Sequence, residues 1–166
     1  MTSASIALVV ESYDTWAVVV FRQEGAWQVA QLPPGIADDL DAVVLAVRGQ
    51  VAGSFALVDV ADEFFVAVRV VAGEERFLLS DAGASLDWDL AAQVMDRLDL
   101  DLPDEEESLD LWPVGELAVF EDLGLDALEL GAILGDEEAY ADEMLSSLAR
   151  RLGFAAAFEQ VVDALV

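Results

Sequence analysis

The stretch Thr15-Trp-Ala-Val-Val-Val-Phe-Arg22, Gln23-Glu-Gly-Ala26, Trp27-Gln-Val-Ala-Gln-Leu32 decides the fold. Two runs of β-branched and aromatic residues flank a polar step, and Glu24-Gly25 supplies the glycine that a tight turn needs, so the segment predicts a β-hairpin. Upstream, Ile6 to Val10 are apolar enough to add an edge strand. Downstream, Pro33-Pro34-Gly35 breaks the strand pattern, and Ile36, Leu40, Val43, Val44 and Val47 then recur on one helical face. Asp38, Asp39 and Asp41 crowd the first turn of that predicted helix, where its dipole favours carboxylates. The helix should stop between Gly49 and Gly53.

Three further runs, Phe55 to Val60, Phe64 to Val71 and Arg76 to Ser80, are short, β-branched or aromatic, and separated by Ala61-Asp62-Glu63 and Ala72-Gly73-Glu74-Glu75. They predict antiparallel strands. A second helix places Leu86, Leu90, Val94 and Leu98 four apart, with Ser85 or Asp87 as its expected N-cap. The order β-β-α-β-β-β-α predicts an α+β fold, an antiparallel sheet of about five strands with its helices on one face. It is similar to the order in longin, roadblock and profilin-type domains, a fold-level analogy to folds that mostly serve as interaction platforms.

From Asp96 to Asp110 eight of fifteen residues are acidic, and Pro103-Asp104-Glu105-Glu106-Glu107-Ser108 offers no large apolar side chain to bury. Self-repulsion predicts an extended linker there. Apolar character resumes at Leu109, Leu111, Trp112, Val114, Leu117, Val119, Phe120 and Leu123, so the tail must dock somewhere. Three helical segments are expected in it, at 126–134, 136–152 and 155–165. In the middle one Glu137 and Glu138 would sit in the first turn, Met144, Leu145, Leu148 and Leu152 on one face, Arg150 and Arg151 in the last turn, and Gly153 at C′. The chain therefore divides into an α+β sheet domain at 1–98, an acidic linker at 99–110 and a C-terminal helical segment at 111–166.

Composition narrows the chemistry. The 166 residues contain no His, Cys, Lys or Asn, and set 34 carboxylates against 7 arginines for a net charge of −27. Nucleophilic triads, Schiff-base lysines, P-loops and zinc-deaminase or zinc-protease motifs all need residues this chain lacks. No cofactor and no metal site is expected, because the EF-hand spacing with its central Gly is absent. The charge repels nucleic acid and anionic membrane and attracts basic surfaces. The N-terminus lacks the basic and long apolar regions of a secretory signal, and no apolar run reaches the length of a membrane span, so a cytoplasmic protein is expected.

Paired carboxylates are the one hydrolytic chemistry left, with Asp59, Asp62 and Glu63 as candidates, and a solvated turn is the preferred reading of them. The candidate partner-binding residues are Asp99, Asp101, Asp104, Glu105, Glu106, Glu107 and Asp110, an acidic run suited to an Arg- and Lys-rich partner surface. Trp16, Trp27, Phe64, Phe65 and Phe77 are expected in the core. Trp88 and Trp112, near the ends of the linker, are expected to anchor the tail to the sheet domain.

Five stretches together carry a resemblance: Trp16-Ala-Val-Val-Val-Phe-Arg22 with Gly25-Ala-Trp27; Phe64-Phe-Val-Ala-Val-Arg69; Phe77-Leu-Leu-Ser-Asp81; Asp122-Leu-Gly-Leu-Asp-Ala-Leu-Glu-Leu130; and Asp142-Glu-Met-Leu145 with Ala149-Arg-Arg-Leu-Gly-Phe154. From about Thr15 to the C-terminus the chain resembles the tRNA adenosine deaminase-associated proteins of high-GC Gram-positive bacteria. It departs from them at Tyr140-Ala141, where relatives tend to have Pro after the Tyr. The resemblance implies association with the tRNA-editing deaminase and assigns no catalytic or binding residue. The expected function is a non-enzymatic accessory protein for that deaminase or another basic nucleic-acid-binding partner, making no direct contact with nucleic acid. The alternatives are a self-associating, homodimeric longin- or roadblock-like scaffold and, third, a carboxylate-based hydrolase.

Overall fold

A computed structural model describes residues 15–106 and 112–165. The hairpin forms as its turn demands: Glu24 and Gly25 both adopt left-handed backbone (φ 54° and 82°), the geometry that matches the twist of the flanking strands. It joins β1 (Trp16–Gln23) to β2 (Ala26–Gln31). Next come α1 (Leu40–Arg48), β3 (Phe55–Val60), β4 (Phe64–Val71), β5 (Glu74–Leu79), α2 (Asp89–Arg97) and β6 (Val114–Gly115). Three helices close the chain: α3 (Ala127–Leu134), α4 (Ala141–Leu152) and α5 (Ala155–Asp163). The strand expected at Ile6 to Val10 lies outside the described residues.

One antiparallel sheet results, ordered β2-β1-β3-β4-β5-β6. The expectation of about five strands becomes six, because the C-terminal segment contributes β6, which pairs Gly115 with Leu78 and Val114 with Leu79. Only glycine fits at 115: a Cβ there would lie 2.2 Å from the Phe77 carbonyl oxygen.

The helices do not share one face. Leu40, Val43, Val44 and Val47 of α1 and Leu90, Ala91, Val94 and Met95 of α2 pack with Ala56, Val58, Phe64, Val66, Val68 and Leu79 of the sheet. On the opposite face Trp16, Val18, Val20, Phe55, Leu57, Phe65 and Leu78 pack with Phe120, Leu130, Met144, Leu148, Phe154 and Phe158. A sheet buried on both faces explains why β1, β3 and β4 read as near-continuous apolar runs, interrupted by Asp59 in β3 and Arg69 in β4, rather than alternating ones.

Several helix starts shift from those the sequence suggests. Residues Pro34–Asp38 form a 3₁₀ turn, and α1 begins at Leu40 with the Asp39 carboxylate accepting from the Asp41 amide at 3.0 Å. Gln93 of α2 also caps it, its Oε1 accepting from the Leu40 amide at 2.9 Å. Neither Ser85 nor Asp87 caps α2: Ala82–Leu86 is another 3₁₀ turn, Ser85 donates to the Ala82 carbonyl at 2.6 Å, and the helix starts at Asp89. The middle tail helix starts at Ala141, so Asp142 and Glu143, not Glu137 and Glu138, occupy its first turn. Gly153 ends it in left-handed backbone (φ 96°), with Arg150 and Arg151 in the last turn.

Candidate partner-binding surface

The acidic run begins where α2 ends. Asp99 takes left-handed backbone (φ 57°), its amide donates to Asp96 and that of Leu100 to Met95, which turns the chain off the helix. Asp99, Asp101, Asp104, Glu105 and Glu106 are exposed, and only Pro103 among them is buried. The structure arranges these five along an exposed stretch. Glu107 and Asp110 lie outside the described residues. The run's far side is held at Trp112, whose carbonyl accepts from the Ala82 amide at 2.7 Å. Beside it, burial pushes the Asp81 carboxyl upward, opposed by amides of Gly83 and Trp112 that hydrogen-bond to it.

Two of the ties that hold the tail layer on the sheet involve carboxylates in well-formed hydrogen bonds. Arg69 of β4 is buried and donates to the Val119 carbonyl at 2.7 Å and, bidentately, to Asp122 at 2.6 and 2.8 Å. The hydrogen bonds from Arg69 hold the Asp122 carboxyl below its ordinary value. At the other end of the sheet, Asp62 in the β3–β4 turn accepts from the Asp142 amide at 2.9 Å, capping the N-terminus of α4. Burial, with Asp142 and Glu143 close by, pushes the Asp62 carboxyl up to about 6.

The triplet Asp59, Asp62 and Glu63 is thus built into the fold. Asp59 is buried and accepts from the Asp62 amide at 2.9 Å, Asp62 caps α4, and Glu63 is exposed. Among the described residues no group of three or more His, Cys, Asp or Glu is placed to hold a metal ion. No helix among them is long and apolar enough to cross a membrane.

The aromatics that dock the tail are not the two expected. Trp88 packs on Phe64 (centroids 6.2 Å apart), on the α1–α2 face, away from the tail layer. Trp112 fastens the tail through its backbone, its side chain 40% exposed. The docking falls to Trp16 against Phe158 (5.7 Å), Trp27 against Phe154 (5.9 Å) and Phe55 against Phe120 (4.8 Å). The signal was present as aromatic residues recurring on one side of β1 to β3, with Phe120, Phe154 and Phe158 as their counterparts in the tail.

In the tail layer, α3 and α4 leave two adjoining grooves of 440 and 390 Å³. Ala132, Ile133, Ser147 and Arg150 line both of them.

Fold and surface define a class: an acidic α+β protein with a sheet enclosed between two helical layers. The chain belongs to the Rv3753c-like tRNA adenosine deaminase-associated protein family, whose sequence profile matches residues 15–155. It is 42% identical over 155 residues to protein Rv3753c of Mycobacterium tuberculosis, spanning 92% of this chain and 90% of that one. No solved structure matches the chain, so the likeness to longin and roadblock domains finds no support there.

Proposed function

We propose that this protein is a non-enzymatic accessory factor that binds the tRNA adenosine deaminase, or another basic nucleic-acid-binding partner, through its acidic surface. The observation that carries the reading is the disposition of charge: the chain has 34 carboxylates, and among the described residues only Asp59 is a buried one. Charge so placed raises the encounter rate with a basic surface and repels nucleic acid. The family's description as deaminase-associated supplies the candidate partner, since an enzyme that acts on tRNA must present cations to its substrate.

The exposed acids at Asp99, Asp101, Asp104, Glu105 and Glu106, with Glu107 and Asp110, are the proposed first contact. Hydrolysis by paired carboxylates is the weaker reading, because Asp59 and Asp62 both serve backbone amides of the fold itself. Co-purification of the chain with the deaminase at low and at moderate salt tests the proposal. Association at low salt that weakens as salt rises supports it, and absence of a complex even at low salt contradicts it.

A further inference from the structure

Arginine placement singles out one surface. Of the seven arginines, Arg48, Arg69, Arg76, Arg97 and Arg151 each pair with a carboxylate, and Arg22 lies over the Trp27 ring at 4.4 Å. Arg150 has neither among the described residues, and its one contact is Ser147 Oγ at 3.4 Å. Arg22 and Arg150 are thus the two arginines without a carboxylate partner among the described residues, in a chain of net charge −27, and of the two Arg150 lines both grooves between α3 and α4.

The groove is polarised along its length. Ala132, Ile133 and Met144 give it a low apolar floor, Arg150 stands at one end, and Asp136, Asp142 and Glu143 stand at the other. Glu143 and Arg150 are two helical turns apart on α4, about 10 Å at 1.5 Å per residue. The acidic end matches a basic side chain, and Arg150 matches a carboxylate.

We infer that the α3–α4 groove receives a helix of the basic partner, with a Lys or Arg toward Asp136, Asp142 and Glu143 and, about two turns away, an Asp or Glu on Arg150. A helix laid in a groove presents anchors at this repeat, and an apolar residue between the charges covers Ile133 and Met144. Nucleic acid fits poorly, since three carboxylates line the groove. The inference rests on the accessory-factor reading and adds the register it lacks: diffuse acid attracts a basic protein, while a paired cation and anion set its orientation.

The test is affinity for purified tRNA adenosine deaminase at about 50 mM salt, where surface electrostatics are weakly screened. It compares the full chain with Arg150→Glu, Ala132→Phe and a variant neutralised at Asp99, Asp101, Asp104, Glu105 and Glu106. Arg150 and Ala132 are exposed, so both groove variants should keep the wild-type circular dichroism and unfolding midpoint. Arg150→Glu and Ala132→Phe should each weaken binding roughly tenfold, whereas neutralising the acidic run should chiefly flatten the salt dependence. Unchanged affinity in both groove variants, with the wild type binding, overturns the groove and leaves the accessory-factor reading standing. No binding by the wild type overturns both.

Discussion

At the scale of single residues, carboxylates in this protein do two opposite things to stability. Asp122 is stabilised in its charged form by Arg69, so its folded-state pKa lies below the unfolded one. Its contribution is therefore present above the ordinary carboxylate pKa and lost as pH falls through the folded value. Asp122→Ala should cost about 2 kcal/mol in urea unfolding, because it strips the buried guanidinium of its anion. Arg69→Met combined with Asp122→Leu should cost less than Asp122→Ala alone, since no charge is then left buried. The reverse ranking would show that the pair stabilises more than its burial costs.

Asp62 has the opposite sign. Its folded-state carboxyl titrates near 6, above the ordinary 3.8, so its favourable contribution is full below about 3.8 and is lost as pH rises through 6. Asp62→Asn keeps an oxygen for the Asp142 amide and removes the titration. Its stability relative to wild type should therefore be greater at pH 7 than at pH 4, measured by unfolding at both. An advantage independent of pH would mean that Asp62 does not titrate in that window.

At the scale of elements, the tail layer is held by aromatic packing more than by its ion pairs. Phe55 is fully buried and meets Trp27, Phe120 and Phe154 with centroids between 4.8 and 6.0 Å, joining sheet to tail. Phe55→Ala should destabilise by about 3–5 kcal/mol, read from the denaturation midpoint. A milder case is the start of α4. Ala141 is the first helical residue and Tyr140 has extended backbone (ψ 169°), both compatible with proline. Ala141→Pro should change stability by no more than about 1 kcal/mol, and a larger loss would place the helix start elsewhere.

Much of this layer was legible in the sequence, and the failures have physical causes. The hairpin at Glu24-Gly25, the strands from Phe55 to Leu79 and the Gly153 stop follow from turn chemistry and apolar runs, which act locally. Helix starts were misplaced where a 3₁₀ turn precedes the helix, since 34–38 and 82–86 carry the same apolar spacing as the helices that follow them. The second helical layer could have been inferred from the uninterrupted burial signature of Val18-Val19-Val20 and Phe64-Phe65-Val66, but apolar runs do not say which segment covers them. Arg69 reads as a surface charge in sequence, and its pairing with Asp122 appears only when residues 53 positions apart meet. The acidic run was legible as charge and remains spread along the chain, while the Arg150 groove depends on two helices meeting and left no sequence pattern.

At the scale of the whole molecule, the central matter is what a net charge of −27 is for. A protein so charged pays for compactness in self-repulsion, and here the sheet offsets that cost by burying both faces. Among the described residues every carboxylate but Asp59 is left outside the core, which suits a basic partner and a salt-sensitive complex. The most direct measurement is the dissociation constant of the complex with tRNA adenosine deaminase, titrated from about 50 to about 500 mM monovalent salt. Binding is expected at the low end, with an affinity that falls steeply and linearly on logarithmic axes. Absence of binding at the low end, or an affinity indifferent to salt, would contradict the accessory-factor reading.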